Sequence, residues 1–177
     1  MSLRSVKRRI AMFCVNYLFS GTRYFSIKRR LLQAAGYEIG KDSKVVGPVF
    51  STGSLSIGRN CWIGRNLMVH GNGSVEIGDN CDIAPDVTFL TGGHKIGGSQ
   101  RRAGKGKSYK IHVGNGVWIG ARSTIFSDIK ICDGSVIAAC SCVQRDVFVD
   151  TLVAGVPARV VKELANETTC DKNKSSC

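Results

Sequence analysis

The sequence predicts an all-β solenoid in which short strands wind into triangular coils, and three observations carry that prediction. Aliphatic residues return at every sixth position through most of the chain after Ile39, a period that belongs neither to a helix nor to a simple alternating strand. A small residue directly follows many of them, and another small or branched residue stands four places on. Glycine and asparagine gather between the units, where a tight corner requires positive φ. One inward aliphatic with a small neighbour makes a short strand and a corner, and three such units close one coil. A β-sandwich with frequent turns has no reason to hold so strict a phase and is the weaker reading.

Residues 1–38 precede the repeat and read as a basic amphipathic helical segment containing Arg4, Lys7, Arg8, Arg9, Arg23, Lys28, Arg29 and Arg30. The run from Ile10 to Phe19 is apolar apart from Asn16 and follows Arg8 and Arg9, so a signal peptide has to be considered. No small-x-small cleavage site follows it, and at roughly ten residues it is too short to span a bilayer as a helix. It is expected to cover one end of the domain. Peripheral contact of its basic flank with anionic lipid, at the inner face of a membrane, is a secondary expectation.

The repeat domain is expected over residues 39–155. Its aliphatics are Ile57, Ile63 and Val69, then Ile77, Ile83 and Phe89, then Val113, Ile119, Ile125, Ile131, Ile137 and Val143. Cys61, Cys81, Val87, Val117, Ser123, Ser135 and Ser141 fill the small or branched positions. Corners are expected at Gly58-Arg59-Asn60, Gly78-Asp79-Asn80 and Gly114-Asn115-Gly116. The phase breaks twice. It slips by two residues around His70-Gly71-Asn72-Gly73, and between Phe89 and Val113 about three units give way to residues 91–110. This second segment is glycine-rich and basic, so it reads as a loop extruded from the coil, and long loops in compact folds tend to carry function. Residues 156–177 are expected to form a C-terminal segment with a disordered tail.

The chain has 177 residues and a net charge of +12, with basic residues in the N-terminal segment, the 95–110 stretch and a C-terminal group of Arg145, Arg159 and Lys162. Aromatics make up only 7% and do not interleave with those groups as a base-stacking surface would require. Nucleic acid is therefore not an expected partner. Several of the eight cysteines occupy small buried positions of the repeat, which favours a reduced, cytoplasmic chain, and spacings such as Cys140-Ser141-Cys142 lack the form of a zinc or redox site. No metal is assigned.

Four segments then resemble the hexapeptide-repeat acyltransferases, whose fold is a left-handed parallel β-helix, and within them the sugar and polysaccharide O-acetyltransferases. They are IGDNCDIAPDVTFLTGGH (77–94), VGNGVWIGARSTI (113–125), DGSVIAACSCVQRDV (133–147) and AGVPARVVKEL (154–164), in the order and spacing of that group. The resemblance implies a homotrimer with sites between neighbouring subunits, acetyl-CoA as cosubstrate, a sugar or glycan hydroxyl as acceptor, and a loop histidine as general base. His94 matches that histidine. A neutral imidazole can take the proton of a hydroxyl as it attacks the thioester, with no covalent acyl-enzyme.

The same resemblance assigns the cofactor side. The amide of Ala121 is the candidate oxyanion donor and lines the pantetheine path, and Trp118 is similar to a tryptophan near the thiol end of coenzyme A. Arg145, Arg159 and Lys162 match cations that meet the cofactor's phosphates, while Ala139 and Gln144 match positions that meet it through backbone. On the acceptor side Asn72 matches a polar sugar contact, and Asn66 is the substitute for an asparagine that the simpler sugar enzymes place where this chain has Gly64. The N-terminal segment looks more like that of enzymes that decorate surface polysaccharides. N-acetylation of an amino sugar, acetylation of an antibiotic and a non-catalytic scaffold stay open. A carbonic anhydrase would need three metal-bound histidines, and His70, His94 and His112 lack that spacing; His70 and His112 serve as controls for His94.

Overall fold

The structure, a computed structural model, describes residues 3–164. It is a parallel β-solenoid with three flat faces, wound in five complete coils and part of a sixth. The first face carries Glu38–Ile39, Ser54–Ile57, Ser74–Ile77, Lys110–Val113 and Ile129–Ile131. The second carries Lys44–Val45, Trp62–Ile63, Asp82–Ile83, Trp118–Ile119, Val136–Ile137 and Thr151–Gly155. The third carries Val49–Ser51, Leu67–His70, Thr88–Leu90, Thr124–Phe126 and Cys142–Val143.

The six-residue phase explains this register. Ile39 pairs with Ile57, Ile57 with Ile77, Ile77 with Val113 and Val113 with Ile131, so each aliphatic stacks on its counterpart in the next coil. All twelve aromatic or aliphatic positions named from the sequence are buried, as are their small partners. Truncating one of the fully enclosed members, such as Ile119→Ala, removes contacts with the coils on both sides and costs about 2–5 kcal/mol. Corners form where expected, with positive φ at Asn60, Asn80 and Gly116. Side chains tie the corners together: Asn60 Nδ2 donates to Asn80 Oδ1 at 2.9 Å, and the Asp79 carboxylate accepts from Arg59 N. Hydrogen bonds from the Arg59 amide and guanidinium hold the Asp79 carboxyl below the usual carboxylate range.

Cys61 and Cys81 stack inside one corner, their thiols donating to the carbonyls of Gly78 and Gly114. The contact with Cys61, together with burial, pushes the Cys81 thiol up. Both are buried packing residues, and the hydrogen bond from Cys81 pulls the Cys61 thiol below its ordinary value.

The N-terminal segment is helical, as its pattern predicts. Helix α1 spans Leu3–Phe13, continues through a π-helical turn at Cys14–Leu18, and is followed by α2 at Phe25–Ala34. Both lie across the open end of the first coil. Asn16 exchanges two hydrogen bonds with Val49, Nδ2 to its carbonyl at 3.0 Å and Oδ1 from its amide at 2.9 Å. Lys28 is fully buried, donating to Gly21 O at 2.6 Å and Val46 O at 2.9 Å. At the other end Ala158–Glu163 folds back antiparallel on Thr151–Gly155, so the sheet runs past residue 155 into the C-terminal segment. Residues 165–177, which include the tail expected to be disordered, lie outside the described ones.

Candidate active site

Both breaks in the phase fall at one edge of the prism, where the third face turns into the first, and on successive coils. The shorter break is the turn His70–Gly73; the longer is an antiparallel hairpin of Gly92–Ile96 and Ala103–Ser108. They stack. Thr91, fully buried, donates its hydroxyl to His70 O at 3.1 Å and accepts from Gly73 N at 3.2 Å. Tyr109 N donates to Thr91 O at 2.8 Å and closes the base of the hairpin. Gly71 has φ +110°, and a Cβ there would run into the backbone of Thr91 and Gly92. Only glycine lets the turn sit this close to the hairpin.

Between turn and hairpin lies a cavity of about 410 Å³, lined among others by His70, Asn72, His94, Lys107 and Ser108. Two residues singled out in the sequence, His94 and Asn72, therefore meet here. His94 Nδ1 stands 2.9 Å from Gly104 O across the hairpin. A carbonyl can only accept, so Nδ1 carries the proton and, in the neutral ring, Nε2 keeps its lone pair as a base. His70 was expected to be a bystander, but the same cavity includes it. Its place directly before the two-residue slip was the signal available in the sequence.

The other site residues lie elsewhere on the chain. Trp118 is on the second face and 55% exposed. Ala121 and Ala139 occupy equivalent corners between the second and third faces on successive coils, joined by Cys140 N to Ala121 O at 2.9 Å. The amides flanking Ala121, those of Gly120 and Arg122, donate to Ile137 O and Pro85 O, whereas Ala121 N–H takes no backbone acceptor among the described residues. Gln144 and Arg145 are exposed beyond the Cys142–Val143 strand, and Arg159 and Lys162 are exposed on the last strand. Asn66 forms a corner with φ +57° and donates to Asp86 Oδ1 at 2.8 Å, so its amide is engaged away from the His94 cavity. A larger depression of about 710 Å³ on the first face includes His112, whose Nδ1 is 3.6 Å from Glu76 Oε2, but none of the predicted site residues.

The galactoside O-acetyltransferase of Escherichia coli K12 is 36% identical to this chain over 162 residues, covering 89% of it and 80% of that protein. The chain belongs to the hexapeptide-repeat acetyltransferases. The hexapeptide repeat of succinyl-transferase matches residues 54–85 and 110–144, which leaves out the hairpin between them. A galactoside acetyltransferase solved in complex with coenzyme A superposes with a TM-score of 0.77 at 30% identity, covering 93% of this chain and 82% of that one. A hexapeptide-repeat acetyltransferase of Vibrio cholerae, solved with acetyl coenzyme A, gives a TM-score of 0.76 at 28% identity over 92% of this chain and 88% of its own.

Proposed function

We propose that this hexapeptide-repeat acetyltransferase moves the acetyl group of acetyl-CoA to a sugar hydroxyl, working as a homotrimer on the cytoplasmic side in the building of a surface glycan. The observation that carries the chemistry is the fixed tautomer of His94. With Nδ1 donating to Gly104 O, Nε2 can accept the proton of an acceptor hydroxyl seated in the cavity beside Asn72 and Ser108. The hydroxyl oxygen then attacks the thioester carbonyl, and the carbon becomes tetrahedral with negative charge on its oxygen. An uncommitted amide such as that of Ala121 can stabilise this charge. Collapse breaks the C–S bond, and the imidazolium returns its proton to the departing thiolate, leaving the acetyl ester and free CoA. Arg145, Arg159 and Lys162 would hold the phosphates of CoA, with Gln144 and Ala139 meeting it through backbone and Trp118 near its thiol end.

The names of the relatives, galactoside acetyltransferases among them, support a sugar acceptor. The test is a mass-spectrometric screen of candidate glycans incubated with acetyl-CoA, run on the native chain and on His94→Ala. The native chain is expected to add one acetyl mass to an acceptor. His94→Ala is expected to bind acetyl-CoA normally and to lose about 10²–10⁴ in kcat. Near-native turnover in that variant would remove His94 from the mechanism, and acetylation of an amine in place of a hydroxyl would overturn the acceptor class.

A further inference from the structure

We propose that the outer face of the N-terminal helical cap is a docking surface for an anionic lipid bilayer. The helix has two apolar sides. Ala11, Val15 and Asn16 face the first coil and are buried. Ile10, Phe13 and Tyr17, spaced as neighbours on the opposite side, are each more than half exposed, as is Leu18 beside them. Phe13 and Tyr17 pack ring against ring at 5.2 Å between centroids, so the exposed stripe is an ordered patch. Tyr24 and Ile27 on the next helical segment of the cap are also exposed, with Tyr24 set edge-on to Phe19 at 5.6 Å. Scattered exposed apolar residues are normal in soluble proteins, but a contiguous patch of this kind marks an interaction site.

The charge around the patch selects the occupant. No acidic residue precedes Glu38. Lys7, Arg23 and Arg30 of the same cap are exposed. A protein partner burying this patch would have to be acidic at every edge. A bilayer with anionic headgroups meets both demands at once, accepting aromatic and aliphatic side chains at the acyl boundary and cations in the headgroup layer. Among the described residues no helix is long and apolar enough to cross a membrane, so the contact is peripheral. The hairpin with His94 emerges two coils away from this cap, which leaves the cavity clear of the docked face.

The test is co-sedimentation of the full chain with vesicles of phosphatidylcholine alone and of phosphatidylcholine containing phosphatidylglycerol. Binding to the anionic vesicles only, weakened by added salt, is expected. The variant Ile10→Ser/Phe13→Ser/Tyr17→Ser replaces exposed side chains and is expected to keep its solution mass and acetyl-CoA binding while its partition coefficient falls on the order of tenfold or more. Arg23→Glu/Arg30→Glu is expected to lose the preference for anionic lipid. Failure of the native chain to sediment with anionic vesicles overturns the proposal. A change in solution mass in the triple serine variant overturns it in favour of a second copy as the occupant.

Discussion

His94 owes its readiness to a backbone oxygen, so the substitutions that report on it are those that leave the hairpin intact. His70→Ala removes the other imidazole of the cavity without touching the Nδ1 contact to Gly104. If His70 only helps seat the acceptor, its loss raises the acceptor KM several-fold with a small effect on kcat, the signature of uniform binding. His112→Ala, outside the cavity, is expected to change neither; steady-state kinetics on both variants separates the roles. Lys28 shows the opposite use of a titratable group, as a structural donor sealed inside the cap. Burial lowers its pKa to about 8. Below that pH both folded and unfolded chains hold the proton, and the folded state bears the full cost of an enclosed cation. Between about 8 and the ordinary lysine value, near 10.4, the folded chain has released a proton that the unfolded chain still binds. Raising the pH through this window therefore favours the folded state. The melting temperature of the native chain should climb relative to that of Lys28→Met from pH 8 to pH 10; parallel curves would show that the amine does not titrate on folding.

At the scale of elements, the sequence showed the coil directly because each inward aliphatic, from Ile57 to Val143, occupies a fixed phase and is buried there. It also showed where the phase fails. What it did not show is that the two failures meet, since nothing in the local pattern of His70–Gly73 says which later segment will lie over it; that follows only once coils stack. The last coil was also hidden. Val147 and Val153 come early relative to the six-residue beat, yet bridge to Ile131 and pair with Ile137. Asn66 lies outside the His94 cavity of its own chain, at a corner set by positive φ and a bond to Asp86, a placement that the local pattern did not show. If the hairpin is an insertion on a self-sufficient coil, excising residues 92–109 should bring Ile77 and Val113 to the spacing of Ile39 and Ile57 and leave a cooperative unfolding transition. Acetyl transfer should vanish with it. A chain that no longer folds would show that the hairpin, through Thr91 and Tyr109, is needed to join the coils. Gly71→Ala is the finer probe: it keeps every catalytic side chain but drives a methyl into Thr91 and Gly92. It should lower kcat, and because the methyl meets backbone at a φ that L residues rarely adopt, the melting temperature should also fall by several degrees, each 1 kcal/mol of strain being worth about 2–4 °C in a domain this size.

For the whole molecule, the arrangement of edges supports the proposed homotrimer. The hairpin with His94 leaves the edge between the third and first faces, whereas Ala121 and Ala139 lie on the edge between the second and third, with Trp118 on the second face. These are different edges of one prism, so if the thioester rests near Ala121 as proposed, the hairpin that meets it would come from another copy. A closed threefold ring supplies that geometry at every contact, because each copy offers one edge to the copy ahead and the other to the copy behind. Light scattering should accordingly give about three times the 19.1 kDa of one chain. The decisive experiment mixes two inactive variants. His94→Ala lacks the base but keeps an open cofactor edge; Ala139→Trp, at an exposed corner, obstructs that edge but keeps the base. Co-expressed in equal amounts, random trimers place an intact hairpin against an intact edge at about a quarter of the contacts. Activity near that fraction of native should return, though neither variant alone turns over. If each chain held a complete site of its own, every site in the mixture would still carry one lesion, and no activity would come back.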